Sequence, residues 1–131
     1  MAYLNLTPSL KTTRVNAILT AIGASATLAV WSGAIPSDPS VAPAGTLLAT
    51  LPASATFGTV SGAVLTANAI TAANAVASGT ATFVRINSSA PAGIVDMDVT
   101  ATGGGGDVQL NTTTITNGLQ VSITSLTITE A

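Results

Sequence analysis

The sequence predicts an all-β sandwich or barrel with one short helix near its N-terminus, and three observations predict it. Most of the chain consists of short runs rich in Thr, Val, Ile and Leu, separated by clusters of Gly, Pro, Asn and Ser. Such runs and clusters are typical of strands and turns. The first part of the chain instead carries apolar residues at helical spacing. With 131 residues, the chain has the length of one domain with one core.

The N-terminal helix is predicted from its two ends and from its apolar positions. Thr7, Pro8 and Ser9 precede the periodic segment, and Gly23 suits the position just after the last turn. We therefore divide the chain into an N-terminal segment with an amphipathic helix, residues 1–25, and a β-sandwich domain, residues 26–131. The apolar residues at helical spacing are Leu10, Val15, Ile18, Leu19 and Ile22.

The strands are predicted from apolar runs between turn residues. In the last run the apolar positions change parity, so we predict a β-bulge or a change of sheet near Thr124 and Ser125. In residues 93–100, aspartates alternate with apolar residues, so we expect this strand near a sheet edge or on an exposed face. The predicted strands are residues 27–32, 46–51, 63–67, 79–87, 93–100, 108–111 and 119–129.

The charge content limits the classes of partner. Charged residues make up 6% of the chain, against roughly 25% in an ordinary soluble domain. Three basic residues are too few to neutralise a phosphate backbone, so we exclude a nucleic-acid partner. We also predict no membrane span, because polar residues interrupt the uncharged stretch 15–37, which breaks at Gly23. A neutral surface repels other copies weakly and so favours assembly.

The residue inventory argues against catalysis. The chain has no His and no Cys, which removes the commonest general base, the commonest metal ligand and the strongest nucleophile. We therefore predict neither enzymatic activity nor a cofactor. Asp96 and Asp98 form the remaining carboxylate pair, about 7 Å apart on one strand face. We interpret them as solvated charges. Calcium binding is the alternative, but calcium takes six to eight oxygen ligands and Asp107 is the only other carboxylate nearby in the sequence.

The features left for function are candidate contact surfaces. Three prolines in residues 36–45 prevent a helix or a central strand there, so this loop could reach a neighbouring subunit. Arg85 lies inside a predicted strand, where it snorkels to the rim, pairs with a carboxylate or contacts another subunit. Trp31 and Phe83 are interpreted as core anchors. The candidate interface residues are Lys11, Arg14, Pro36, Asp38, Pro39, Pro43 and Arg85.

A set of short segments spread over the chain carries a resemblance to known proteins. The segments are residues 13–19, 31–33, 45–51, 57–58, 77–85 and 121–128. Together they resemble a family of small tailed-bacteriophage virion proteins, the cement or decoration proteins of podophage-type heads. The likeness covers nearly the whole chain, although members of that family commonly have Tyr where this chain has Trp31 and Trp at or near Phe83. Both exchanges keep an aromatic residue.

The resemblance implies a jelly-roll-like antiparallel β-sandwich on the outside of the capsid, although another Greek-key sandwich fits the sequence as well. It implies a protein made in the host cytoplasm that binds the major capsid protein and bridges capsomers as a homo-oligomer, a dimer or trimer. A tail or fibre module that recognises a host receptor is the alternative. An enzyme ranks last among the alternatives. A pilus or adhesin subunit is disfavoured because the sequence shows no export signal and no cysteine.

Overall fold

A computed structural model describes residues 7–88 and 93–129. The one helix in these ranges, α1, spans Pro8–Ile22, as predicted. Thr7 caps it, because its Oγ1 accepts a hydrogen bond from the Leu10 N–H at 3.2 Å. Gly23 ends it with φ +69° and donates its N–H to the Leu19 carbonyl. Within the described residues, no helix combines the length and the apolar character that a membrane crossing requires.

The rest of the described chain is built from short strands joined by turns. Three of these strands, at residues 58–61, 73–74 and 114–115, were not predicted. The strands are β1 (Thr27–Trp31), β2 (Leu47–Pro52), β3 (Gly58–Ser61), β4 (Val64–Ala67), β5 (Ala73–Asn74), β6 (Gly79–Thr80), β7 (Phe83–Asn87), β8 (Gly93–Ala101), β9 (Val108–Leu110), β10 (Thr114–Ile115), β11 (Gln120–Val121) and β12 (Ile123–Thr129).

Two of the predicted strands are each divided in two. The predicted strand 79–87 breaks between β6 and β7, where the Thr82 N–H donates a hydrogen bond to the Trp31 carbonyl. The predicted strand 119–129 breaks between β11 and β12, and the pairing of β12 with β9 shifts register between Ile123 and Ser125. The bulge predicted near Thr124 and Ser125 is therefore confirmed. It allows Val121 and Leu126, which differ in parity, both to be buried.

Eight strands form one curled sheet in the order β2-β1-β7-β8-β9-β12-β4-β3. Two small ladders, β10 with β6 and β11 with β5, complete the β-structure of the described residues. The prediction of a wholly antiparallel sheet is wrong at one pair, because β8 and β9 run parallel. Of the two positions expected for residues 93–100, the sheet edge is wrong, since β8 lies between β7 and β9. The exposed face fits better, because each residue of β8 is at least partly exposed. In the residues that the structure describes, the fold is thus mostly β with one helix.

The core is aliphatic apart from Phe57 and lies against one face of the sheet. Val15 and Ile22 of α1 are fully buried in it, and the helix packs chiefly against β3, β4 and β8. Strands β1, β7 and β9 each contribute fully buried core side chains at alternate positions, as a strand with one buried face should. The largest fully buried side chains of this core are Ile22, Leu28, Leu48, Leu51, Phe57, Leu65, Ile86 and Leu110.

Candidate functional site

The strands β1, β7 and β8 have a second face that does not belong to the aliphatic core. Along β1, Leu28 and Val30 enter the core, so Ala29 and Trp31 point the other way. Cross-strand partners share a face, and Trp31 pairs with Phe83 while Ala29 pairs with Arg85. Phe83 is fully buried on this second face and lies outside the core cluster. Phe83 therefore anchors a separate, smaller packing layer.

The proline-rich segment, residues 36–45, is the proline loop, and both of its ends are fixed. Ser32 donates its N–H to the Thr46 carbonyl at 3.0 Å, and the Ser32 hydroxyl accepts from the Thr46 N–H. Gly45 passes so close to Ser32 that a Cβ on it would lie 1.9 Å from the Ser32 carbonyl oxygen. The loop consequently leaves and rejoins the sheet at one point, between β1 and β2.

A buried ion pair holds the middle of the proline loop. Arg85 Nε lies 2.7 Å from Asp96 Oδ1, and Arg85 Nη2 lies 2.8 Å from Asp96 Oδ2. The two side chains are only 7% and 6% exposed. The hydrogen bond to Asp96 raises the pKa of Arg85 above its ordinary value and exceeds the opposing effect of burial. This bidentate geometry is the strong form of an arginine–carboxylate contact.

Two further N–H groups of Arg85 reach main-chain carbonyls of the loop. Nη1 donates to the Val41 carbonyl at 2.6 Å, and Nη2 donates to the Asp38 carbonyl at 3.4 Å. Carbonyl oxygens and a carboxylate together satisfy the guanidinium, so the buried charge is compensated on several sides. Arg85 therefore joins β8 to the proline loop through one side chain.

The exposed Asp38 side chain shapes the same part of the loop. Its carboxylate accepts the Ser40 N–H at 2.7 Å and also the Ser40 hydroxyl. The hydroxyl hydrogen bond from Ser40 is the largest cause that lowers the pKa of Asp38 below its ordinary value of 3.8, followed by the Ser40 N–H. The Val41 N–H also donates to the Asp38 carbonyl at 3.1 Å. The turn thus presents the Asp38 and Val41 carbonyls to Arg85.

A groove of about 620 Å³ lies between the proline loop and this second sheet face. Gly93 at the start of β8 lets the loop approach, because a Cβ there would lie 2.3 Å from the Pro39 carbonyl oxygen. The Nε1 of Trp31 is buried and has no hydrogen-bond partner within the described part of the chain. The groove is lined by Ala29, Trp31, Pro39, Ser40, Ala42, Pro43, Leu47, Thr50, Arg85, Asn87 and Gly93.

The structure brings some of the predicted interface residues together. Pro39, Pro43 and Arg85 line the groove, and Asp38 and Pro36 belong to or flank the same loop. Arg85 itself is buried inside the subunit, so it acts on this surface by holding the loop. Lys11 and Arg14 lie outside this loop on α1, which packs chiefly against β3, β4 and β8.

The interpretation of Asp96 and Asp98 as two solvated charges is wrong for Asp96. Its carboxylate is buried against Arg85, whereas Asp98 is exposed. No group of three potential metal ligands occurs in residues 7–88 and 93–129. The expectation that Arg85 pairs with a carboxylate is confirmed, although the sequence did not identify Asp96 as the partner. Sequence reasoning also missed the part played by Gly93 and the unpartnered Trp31 N–H. Folding 79–87 back on 93–100 as a hairpin would have placed Arg85 and Asp96 on facing strands.

Chemically, the site offers apolar contact and hydrogen bonding from a fixed loop and a sheet face.

A scan of protein-family models, a search of curated proteins and a search of solved structures each gave no match to this chain.

Proposed function

We propose that this protein is a bacteriophage capsid cement or decoration protein, a jelly-roll-like sandwich that binds the major capsid protein outside the shell. In this function it bridges capsomers and stabilises the head. The observation that carries the proposal is the charge distribution. The chain has only three basic and five acidic residues, and Arg85 and Asp96 are removed from the surface by their mutual burial. The exterior is left almost uncharged, which suits permanent contact with other protein surfaces.

The proline loop supports the proposal as a contact element. It exposes Ile35 on its approach and Val41 within it, with exposed fractions of 48% and 42%. Three prolines restrict its backbone, and Arg85 fixes its carbonyls before any partner arrives. A loop that is already ordered loses little conformational entropy on binding, which favours affinity. The proline loop is therefore the surface that we propose to contact the major capsid protein.

Cementing a shell requires complementary surface at many equivalent sites and no reactive group. Contacts that are weak one at a time become strong when an oligomer engages several capsomers together. The symmetry of a capsid supplies those repeated sites. An uncharged exterior with a fixed apolar loop meets this requirement without a catalytic centre.

Cryo-electron microscopy of the parent particle tests the proposal directly. We expect many copies distributed over the outside of the head, with the proline loop against the major capsid protein. A few copies at a single vertex would instead move the protein to the tail or fibre alternative. Absence from purified particles would overturn both assignments.

A binding assay with particles that lack this protein tests the contact residue. We expect Val41→Lys to lower the amount of protein bound to such particles at least about tenfold, since a lysine ammonium would be buried at the interface. Thr56→Lys is the control, because it adds the same charge at an exposed residue away from the loop. Equal loss in both variants would contradict the assignment of the loop to the capsid.

A further inference from the structure

The groove under the proline loop is bounded at each end by a contact between the loop and the sheet. At the base of the loop, Ser32 and Thr46 exchange hydrogen bonds. At its middle, Gly93 lies against the Pro39 carbonyl. The volume between these contacts, about 620 Å³, is typical of a small-molecule site. The groove therefore fits a compact ligand better than an extended chain that runs through it.

Two hydrogen-bond donors on the lining of the groove are unpaired. The Nε1 of Trp31 is buried and has no partner within the described part of the chain. Arg85 is only 6% exposed, and its Nη1 carries two N–H groups, of which one donates to the Val41 carbonyl. The other makes no hydrogen bond within residues 7–88 and 93–129. Because an unpaired buried donor is unfavourable, a ligand that brings acceptor oxygens to these two groups gains affinity.

The charges around the groove favour a neutral ligand. Arg85 and Asp96 neutralise each other in their bidentate contact, and Asp38 adds one negative charge beside them. Asp38 would repel an anion, and the Arg85 guanidinium on the lining would repel a cation. A pure hydrocarbon would leave both unpaired donors without an acceptor. The ligand that fits is therefore neutral and carries oxygen atoms.

We propose that the groove binds a single neutral saccharide ring. Such a ring presents apolar C–H groups on one face and hydroxyl groups around its rim. The apolar face can pack on the Trp31 indole, Pro43 and Leu47, which line the groove. The hydroxyl groups can accept from the two unpaired donors. They can also donate to and accept from the Asn87 amide and the Thr50 hydroxyl, which belong to the same lining.

Titration with sugars tests the site directly, because Trp31 is the only tryptophan of the chain and its indole N–H gives a single nuclear magnetic resonance signal. We expect at least one of glucose, galactose and N-acetylglucosamine to shift this signal, with a dissociation constant on the order of 1 mM. Glucuronate, which carries a carboxylate, should bind at least about tenfold more weakly than glucose. Cyclohexanol, a ring with one hydroxyl group, is the matched ligand control. No shift with any of the neutral sugars, or an equal shift with cyclohexanol, would overturn the proposal.

Two variants of the lining test which side chains hold the sugar. Asn87→Leu and Thr50→Val each remove hydrogen-bonding groups at similar side-chain size, and we expect each to weaken binding at least about threefold. Asn74→Leu is the control, because it makes the same exchange as Asn87→Leu at an exposed residue of β5 outside the groove. Circular dichroism shows whether each variant is folded. Unchanged affinity in both lining variants, or an equal loss in Asn74→Leu, would contradict the site.

A capped peptide separates a sugar from a protein segment as the ligand. Acetyl-trialanine amide supplies carbonyl oxygens without a saccharide ring, and we expect it to leave the Trp31 indole signal unchanged. A shift with this peptide and with none of the sugars would overturn the assignment to a saccharide. All of these titrations use the purified full-length protein without phage particles. Their failure is therefore distinguishable from failure of the proposed contact with the capsid.

Discussion

The two faces of strands β1, β7 and β8 are built on the same backbone but stabilised in different ways. The core face carries Leu28, Val84 and Ile86, whose burial is non-directional and scales with apolar area. The opposite face carries Arg85 and Asp96, whose contact requires defined distances and angles. Apolar burial on the core face therefore stabilises the fold, whereas the ion pair on the opposite face fixes the position of the proline loop.

Burial of an ion pair is a poor way to gain stability, because desolvation of both groups offsets most of their attraction. An apolar pair of similar volume would serve the fold equally well. Only the guanidinium, however, can also donate to the Val41 and Asp38 carbonyls. We infer that Arg85 and Asp96 serve to position the loop and that the core face supplies the stability. Unfolding free energy and amide exchange in the loop, measured on the same variants, separate these two contributions.

The largest expected effect follows from breaking the ion pair on one side. Asp96→Ala leaves the Arg85 guanidinium buried without its carboxylate, which costs about 3–5 kcal/mol of unfolding free energy. Urea unfolding followed by circular dichroism measures this cost. A loss below about 1 kcal/mol would show that the pair is hydrated in solution, since exposed pairs contribute about that much or less.

The matched control for this variant is Leu28→Ala on the core face of β1. It removes buried apolar volume and costs about 2–5 kcal/mol, a similar loss with a different cause. The Leu28 side chain is buried in the core, on the face of β1 opposite the ion pair, so amide exchange in the loop should change only in Asp96→Ala. Equal disturbance of the loop in both variants would mean that the two faces are not independent.

A methyl group at Gly93 tests the fit of the loop on the sheet. Gly93→Ala would place a Cβ 2.3 Å from the Pro39 carbonyl oxygen, so the loop or the strand must shift. We expect a loss of about 1–3 kcal/mol in urea unfolding. Gly79→Ala is the control, because its Cβ would meet the flexible end of Leu48 at 3.2 Å. If both variants cost the same, the loop does not rest on Gly93.

The elements with local sequence determinants could be predicted, and those set by distant pairing could not. Thr7 and Gly23 cap α1 through groups a few residues away, so its bounds follow from the sequence. The pairing of β8 with β9 in parallel, and the short ladders of β5 and β6, depend on contacts between remote segments. Two-residue strands also leave too short a pattern to recognise.

The same distinction applies to the candidate site. The prolines marked residues 36–45 as a loop because each proline constrains its own backbone. What fixes that loop is a side chain more than forty residues further along the chain, Arg85, whose partner Asp96 lies on yet another strand. Nothing local to Pro39 or Val41 indicates that contact. Its place inside a predicted strand indicated a carboxylate as a partner for Arg85, but not which one and not the contact with the loop.

Replacing both members of the ion pair should separate loop order from stability. In Arg85→Met combined with Asp96→Leu, apolar side chains of similar length fill the site, and we expect an unfolding free energy within about 1 kcal/mol of wild type. The loop loses its two guanidinium hydrogen bonds, so the amide of Val41 should exchange faster with solvent. Nuclear magnetic resonance measures that exchange. Unchanged protection of the Val41 amide would show that prolines alone hold the loop.

The smallest effect concerns Asp38 and depends on pH. Its carboxylate is stabilised by the Ser40 hydroxyl and N–H, so its pKa in the folded protein lies below the ordinary value of 3.8. A lowered pKa adds stability that is fully present above the ordinary pKa and is lost as the pH falls through the lower, folded value. The difference in Tm between wild type and Asp38→Asn should therefore shrink as the pH falls below 3.8. Because Asp38 is exposed, solvent screens this contribution, and it affects the turn of the proline loop more than the fold. Titration of the Asp38 carboxyl carbon by nuclear magnetic resonance checks the direction, and a midpoint at or above the ordinary value would refute it.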